Sequence, residues 1–128
     1  MQLSFLIAKA LLEGDFASYF ASIPSAADDP EPIVLRQGKF EREAVLPDGE
    51  RGHVAVAVLV VREVEADAEE DSQACERWIR RYGWEPVAEN GTWRIAGLDT
   101  TAPHFIERDR SGRFVWGFDV ELTVVRQP

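Results

Sequence analysis

The sequence lacks the features that define several large classes of protein. Its only cysteine is Cys75, so no disulfide can form within the chain, which favours a reducing compartment. Its longest apolar run, Val54 to Val61, has eight residues, whereas a membrane-spanning helix needs about 20. We therefore expect a soluble protein, made in the cytoplasm, with no membrane partner.

An excess of basic residues is also missing. The chain has 14 lysines and arginines against 23 aspartates and glutamates, which leaves a net charge of −9. Proteins that bind phosphate backbones need a basic field to replace the released counterions. We therefore expect no nucleic-acid partner.

Motifs that carry catalysis or hold cofactors are absent from the sequence as well. It contains no GxGxxG, P-loop, GxSxG or HExxH pattern. Neither His53 nor His104 has a second histidine or a cysteine at zinc-ligand spacing, and the acidic run Glu65–Asp71 lacks the spaced ligands of a calcium loop. Cys75 shares an apolar helical stripe with Trp78, where a thiol is an inert hydrophobic group. We predict a protein without catalytic activity, cofactor or metal.

Apolar residues recur at helical spacing in three segments. Leu3–Leu12 predicts a first helix with Ser4 as its N-cap, and Phe16–Ile23 predicts a second, short one. A third helix is predicted at about residues 72–82, with arginines near its C-terminal end that match the helix dipole. The candidate N-caps of this third helix are Asp67, Asp71 and Ser72.

Other apolar patterns predict strands. The clearest is His53–Val64, which is apolar on both faces and should therefore be a central strand covered on each side. The remaining predicted strands are Ile33–Arg36, Lys39–Leu46, Thr92–Leu98, Phe105–Arg108 and Arg113–Arg126. Because strands follow one another rather than alternate with helices, we predict a single α+β domain over residues 1–128. Its sheet is mostly antiparallel with about five or six strands, and the N-terminal helices and the helix at about 72–82 pack on one face.

The stretch HFIERDRSGRFVWGFDVELTVV, residues 104–125, joins a dense charge cluster to an alternating strand. The cluster could be an acid–base site or the exposed tip of a hairpin. Asp109 followed by Gly112 is typical of a tight turn, and the even positions from Phe114 onward are apolar. We interpret the charges as a solvated hairpin tip and the strand beyond it as half-buried.

The central strand needs more cover than the short helices provide. Helices cover one face of the sheet, so its other face needs a curled sheet or another subunit. Aromatic residues such as Trp84, Trp93 and Trp116 belong to the types enriched at interface cores. We therefore predict an oligomer in which Gly38–Gly52 is an arm or a contact loop. The predicted interface residues, chosen for their position near this arm, are Arg36, Lys39, Phe40, Arg42 and Arg51.

In the order of its elements, the chain resembles the tail terminator and minor capsid (tail-completion, head–tail joining) proteins of long-tailed bacteriophages and prophages. The similarity lies in three segments: SFLIAKALLE, VAVLVVREVEADAEEDSQACERWI and HFIERDRSGRFVWGFDVELTVV. It spans most of the chain and rests on pattern rather than on a single motif. The acidic loop Asp28–Glu31 does not fit that pattern.

The resemblance implies a structural role in the virion tail. Such proteins form rings, commonly hexameric, that stop growth of the tail tube and join the tail to the head, and a free form can be monomeric. The implied partners are copies of the chain itself, the tail-tube protein and head-completion proteins, with no cofactor. No binding residue is transferred, because no motif of the family is diagnostic.

A different class of protein has a similar outline. Helices followed by a curved, aromatic-lined antiparallel sheet also occur in small cone-shaped α+β proteins that bind or isomerise hydrophobic ligands. The pocket of such a protein would be lined by Trp93, Trp116, Phe118 and His104, with Asp119 or Glu107 as the base. That function needs a deep pocket inside one protomer, whereas a ring subunit needs none.

Overall fold

A computed structural model describes residues 3–47, 49–84 and 93–126 of the chain. This described part contains two helices, α1 (Ser4–Glu13) and α2 (Glu65–Arg81), and seven strands. The strands are β1 (Tyr19–Phe20), β2 (Ile33–Gln37), β3 (Glu41–Leu46), β4 (Gly49–Arg62), β5 (Trp93–Thr100), β6 (His104–Arg108) and β7 (Phe114–Arg126). The predicted α+β class with a mostly antiparallel sheet is confirmed, with seven strands rather than five or six.

One long antiparallel pair, β4 with β7, forms the centre of the sheet. The two strands pair from Glu50 opposite Arg126 to Arg62 opposite Phe114. On one side of this pair, β4 is followed by β2 and then β1, with β3 beside its first residues; on the other side, β5 and β6 both pair with β7. Among the paired strands of the described residues, only β1 and β2 are parallel neighbours. The predicted central position of the valine-rich strand is therefore correct.

Both helices pack on the same face of the sheet. Even-numbered residues of β4 and β7 point to this face, as the two-residue repeat of a strand requires, and those in the middle of each strand are almost fully buried. They meet the apolar stripes of both helices. The main residues of this core are Leu3, Ile7, Leu11, Val54, Val56, Val58, Val60, Cys75, Ile79, Phe118, Val120, Leu122 and Val124. Burial of each large side chain contributes about 1.5–3 kcal/mol, so this layer supplies most of the stability.

Trp78 fixes the two helices to each other. Its indole Nε1 donates a hydrogen bond of 2.7 Å to the carbonyl oxygen of Ala10, at the end of α1. The same ring lies over Gly14, where a Cβ atom would be 2.7 Å from the indole carbons. The glycine that ends α1 is therefore also the residue that lets α2 approach it.

The predicted second helix is wrong. The segment turns at Asp15 (φ 67°) and Ala21 (φ 68°), and left-handed residues of this kind interrupt a right-handed helix. Between them, Tyr19 and Phe20 form β1 and pair with Val34 and Leu35 of β2. The apolar spacing that predicted a helix instead provides an edge strand with exposed aromatic rings.

The predicted helix caps are also wrong. α2 begins at Glu65, earlier than the predicted start near Ser72, and the residue before it, Val64, provides no side-chain cap. The predicted caps lie inside the helix, where Ser72 bonds to the Glu69 carbonyl and Asp71 accepts from Arg62. Ser4 lies inside α1.

The residue that caps α1 belongs to a strand, β2. The side-chain oxygen Oε1 of Gln37, at the end of β2, accepts the Ser4 backbone N–H at 2.9 Å. A capping group 33 residues away in the chain cannot be recognised from local sequence.

The second face of the sheet is covered at one end only. Val34, Leu59, Val61 and Val115 are buried there beneath Ile23, and we call this the capped half. Beyond it lie Ala55 and Ala57 of β4, with Asp119 and Glu121 of β7 opposite them; we call this the open half. The prediction that β4 is covered on both faces therefore holds only for the capped half, because Ala55 is exposed.

Residues 109–112 form the predicted hairpin tip between β6 and β7. The backbone N–H of Asp109 donates to the Arg113 carbonyl at 2.9 Å, and Gly112 has φ 81°. Two of the charges, Arg113 and its partner Asp109, are largely shielded from solvent, however. Arg113 is 5% exposed, and its guanidinium donates to Asp109 Oδ2 at 2.7 Å and to the carbonyl oxygens of Pro24 and Asp29, both at 2.9 Å. This arginine attaches the loop that covers the capped half to the hairpin.

The Asp109 carboxylate makes the free energy of unfolding depend on pH in the acidic range. Burial by itself would raise the pKa of this carboxyl, but hydrogen bonds from the Arg113 backbone and guanidinium outweigh it, so the folded-state pKa lies below the usual value. A lowered folded-state pKa gives stability that is present above the unfolded-state value and is lost as pH falls through the folded-state value. We therefore expect the free energy of unfolding to fall as pH drops below about 4.

Urea denaturation across acidic pH measures this effect, with Asp109→Asn as the matched variant. The variant should be less stable than the wild type at neutral pH and should approach it in acid. Parallel profiles at every pH would show that Asp109 does not contribute in this way.

Candidate interaction surface

The open half borders a shallow groove of about 450 Å³. Its walls come from the segment between β2 and β3, from the start of β4 and from β7. They are formed by Gly38, Lys39, Glu41, His53, Val54, Ala55 and Glu121. The groove is wide open and its lining carries charges of both signs, which suits contact with a protein surface better than enclosure of a small apolar ligand.

His53 is held in place on this surface by two neighbours. Its Nε2 lies 2.5 Å from Glu43 Oε2, and its Nδ1 lies 3.3 Å from Thr123 Oγ1. All three side chains are on the solvent side of β3, β4 and β7, so the cluster is accessible. Because each ring nitrogen has a partner, the imidazole ring is held in one orientation on the surface of the sheet.

Two of the predicted interface residues border the open half. Lys39 lines the groove and is exposed. Arg36 is exposed on β2, opposite Ala57, and its Nε donates to the Ala21 carbonyl at 2.7 Å. The prediction that these residues make protein contacts is compatible with their exposure and remains a prediction.

The other three lie around β3 and the start of β4. Arg51 is exposed. Arg42 pairs with Glu50 at 3.6 Å, and Glu50 also accepts from Arg126 at 2.6 Å. The Arg126 hydrogen bond is the main cause of a lowered pKa for the Glu50 carboxyl. Phe40 is half-buried against the core, with the Arg126 guanidinium 4.4 Å from its ring centroid.

These contacts attach β3 to the body of the sheet. A Cβ on Gly52 would lie 2.2 Å from the Glu41 carbonyl oxygen, so the strands meet closely there. The segment predicted as an arm or contact loop, Gly38–Gly52, is therefore part of the sheet over most of its length.

The described residues that were predicted to form a hydrophobic pocket lie on different faces of the sheet, with Trp116 and Phe118 on the helix-covered face. Phe118 is buried beneath the helices, whereas His104 is exposed opposite Gly117, which lies on the other face. Asp119 is on that second face too, and Glu107 is exposed on β6. The side chain of Trp93 lies outside the described residues. The core where such a pocket would lie is filled by helix side chains.

Cys75 behaves as the sequence predicted. It is fully buried between α2 and the sheet, and burial raises the pKa of its thiol to about 12. A thiol that stays protonated is a poor nucleophile.

We expect Cys75 in the native chain not to react with Ellman's reagent at mildly alkaline pH, and to react fully in urea. Ser111→Cys, on the exposed hairpin tip, is the control that should react at once without denaturant. Rapid labelling of Cys75 in the native wild type would contradict the buried position.

The described residues contain no group of three or more histidine, cysteine or acidic side chains that could hold a metal ion. Within the same three ranges, no helix is long and apolar enough to cross a membrane.

The fold and this surface together define a class: a sheet protein with helices on one face and half of the other face open. Comparison with known proteins does not refine it, since no protein-family model and no curated protein matches the chain.

The sequence interpretation missed the aromatic edge at β1. Tyr19 and Phe20 were assigned to a helix, and the structure places both rings about 43% exposed at the end of the sheet. The available signal was the short spacing between the Gly14–Asp15 break and Pro24, which leaves too little chain for a stable helix.

Proposed function

We propose that this chain is a structural subunit of a bacteriophage or prophage tail, of the tail terminator or tail-completion kind. It would assemble with copies of itself into a ring, end the growth of the tail tube and join the tail to the head. The proposal combines the similarity in element order with a surface suited to protein contacts.

The observation that carries the proposal is the open half of the second sheet face. Ala55 and Ala57 keep this area flat, and charged residues of both signs surround it, among them Lys39, Asp119 and Glu121. An exposed area with small side chains, next to exposed strand edges, suits a subunit packed between neighbours. The small side chains let another protein approach the backbone closely.

Deletion of the gene from its phage or prophage tests the proposal. We expect tail tubes of uncontrolled length and heads without joined tails in electron micrographs of the lysate, with recovery when the gene is supplied on a plasmid. Genes for head and tail proteins should lie on both sides of it. Normal particles from the deletion strain would contradict the proposal.

A further inference from the structure

Among the described residues, the sheet ends on each side in a strand with one unpaired edge. A single row of residues runs across the sheet from one of these outer strands to the other. Successive pairings place Tyr19, Val34, Leu59, Gly117 and His104 side by side across five strands. β1 pairs only with β2, and β6 pairs only with β7, within the described residues. Each end therefore presents a strand edge that a further strand could join.

The strand directions allow this without turning the molecule over. β6 is antiparallel to β7 and so runs parallel to β4, whereas β1 runs antiparallel to β4. If a second copy stands beside the first in the same orientation, its β6 lies antiparallel to β1. Their side chains also match by face: Phe105 and Phe20 both point to the helix-covered side, and His104 and Tyr19 to the other.

Both ends carry exposed apolar side chains. At the β1 end, Phe5 is 52% exposed and packs on Phe20 with 4.9 Å between ring centroids. At the β6 end, Phe105 is 46% and Ile106 is 41% exposed. Large apolar side chains on an unpaired strand edge favour association.

The charges beside the two ends have opposite signs. A groove of about 510 Å³ next to β1 is lined by Asp15, Asp29 and Glu31. The one cation of its lining, Arg62, already donates to Asp71 at 2.7 Å and to the Glu31 carbonyl. At the other end of the sheet, β6 leads into the exposed Arg108 and Arg110, which outnumber the exposed acid Glu107 beside them. The Arg108 guanidinium also donates to the Gly112 carbonyl at 2.8 Å, which holds it at the hairpin tip, whereas Arg110 is exposed at the turn. In the antiparallel arrangement, these arginines lie beside the groove. β6 runs from the row of Tyr19 and His104 towards Arg108, and the groove extends from that row in the same direction, along residues 15–18.

We propose that β6 of one copy adds to the β1 edge of the next copy, head to tail. Phe105 then packs near Phe5 and Phe20, and the arginines of the hairpin tip meet the acidic groove. A contact between two different surfaces builds a ring when it closes. This inference rests on the proposed ring function and gives a role to the acidic loop Asp28–Glu31.

Charge exchange between two variants tests the contact. The tip variant Arg108→Glu with Arg110→Glu, and the groove variant Glu31→Lys, should each weaken self-association at least tenfold in sedimentation and light scattering. An equal mixture of the two should associate again, since glutamate tips then meet grooves that carry the introduced lysine, and arginine tips meet unchanged acidic grooves, in an alternating ring. Circular dichroism and thermal melts check that both variants fold.

Phe105→Ser supplies a second measurement, with Val64→Ser as its control. Both side chains are large, apolar and exposed, but only Phe105 lies on a sheet edge. We expect Phe105→Ser to weaken association and Val64→Ser to leave it unchanged.

Three results would overturn the edge contact: wild-type chain that stays monomeric even at millimolar concentration, variants that associate like the wild type, or no recovery in the mixture. The proposed function is judged separately by the gene deletion. A deletion strain with defective tails, together with unaffected charge variants, would reject this contact and keep the function.

Discussion

Replacing Arg113 by methionine should lower the free energy of unfolding by about 3–5 kcal/mol, the range for removing one partner of a buried ion pair. The change leaves the Asp109 carboxylate, only 12% exposed, without its cation. It also removes the donors for the carbonyl oxygens of Pro24 and Asp29. Methionine replaces the aliphatic part of the arginine side chain with an unbranched apolar one of similar volume, so most of the loss reports charge and hydrogen bonds rather than an empty volume.

Urea denaturation of the two proteins gives this difference directly. Arg110→Met, on the exposed part of the same hairpin tip, is the matched control and should change stability by less than about 0.5 kcal/mol. Limited proteolysis adds a local measurement, because the loop at residues 24–31 should be cut faster in the Arg113 variant. Equal effects of the two substitutions would contradict the role given to Arg113.

Gly117→Ala should cost about 2–3 kcal/mol, near the upper end of the usual range for overpacking. A Cβ at this position would lie 2.3 Å from the Val58 carbonyl oxygen and 3.0 Å from Ile106 Cδ1. Because the first of these atoms is backbone in the central β4–β7 pair, the two strands must move apart. The substitution disturbs the longest pairing in the sheet and the neighbouring β6 edge together.

Thermal and urea unfolding of the variant measure the cost. Gly83→Ala is the control, since nothing lies within 4 Å of a Cβ built there, and it should change stability little. A Gly117→Ala variant as stable as the wild type would show that β4 and β7 can separate locally at small cost. Such a variant should still be examined for association, because Gly117 borders the proposed contact.

The predictable part of the fold follows from repeats that neighbouring residues create. The run of valines from Val54 to Val60 predicted the central strand, and the stripe around Cys75 and Ile79 predicted most of α2. The residue types at Asp109 and Gly112 predicted the turn of the hairpin just as directly. Each of these depends on a periodicity or a turn preference that acts within a few residues, so the sequence shows it directly.

The errors occurred where distant residues decide the structure. Phe16–Ile23 has a helical repeat, yet pairing with β2 and covering the capped half determine its conformation. Arg113 belongs to a charged hairpin tip, yet carbonyl groups more than 80 residues earlier in the chain draw it inside. Local propensity is weaker than burial combined with satisfied hydrogen bonds.

The candidate surface was predictable only in outline. Sequence position indicated that Arg36 and Lys39 would lie near an exposed contact region, and both are exposed. It could not show that Phe40 packs into the sheet under Arg126, because Arg126 is far away in the chain. Nor could it show that an acidic groove lies beside β1 and that exposed arginines lie beyond β6.

By itself, therefore, the sequence determined the class of fold, the central strand, the buried thiol and the hairpin tip, because each depends on short-range periodicity and composition. Only the tertiary structure decided which half of the second face stays open, which arginine is buried and which edges end the sheet. These depend on strand order and on pairings between distant residues. The two free edges in one row, which carry the association proposed above, exist only once the strands are arranged side by side.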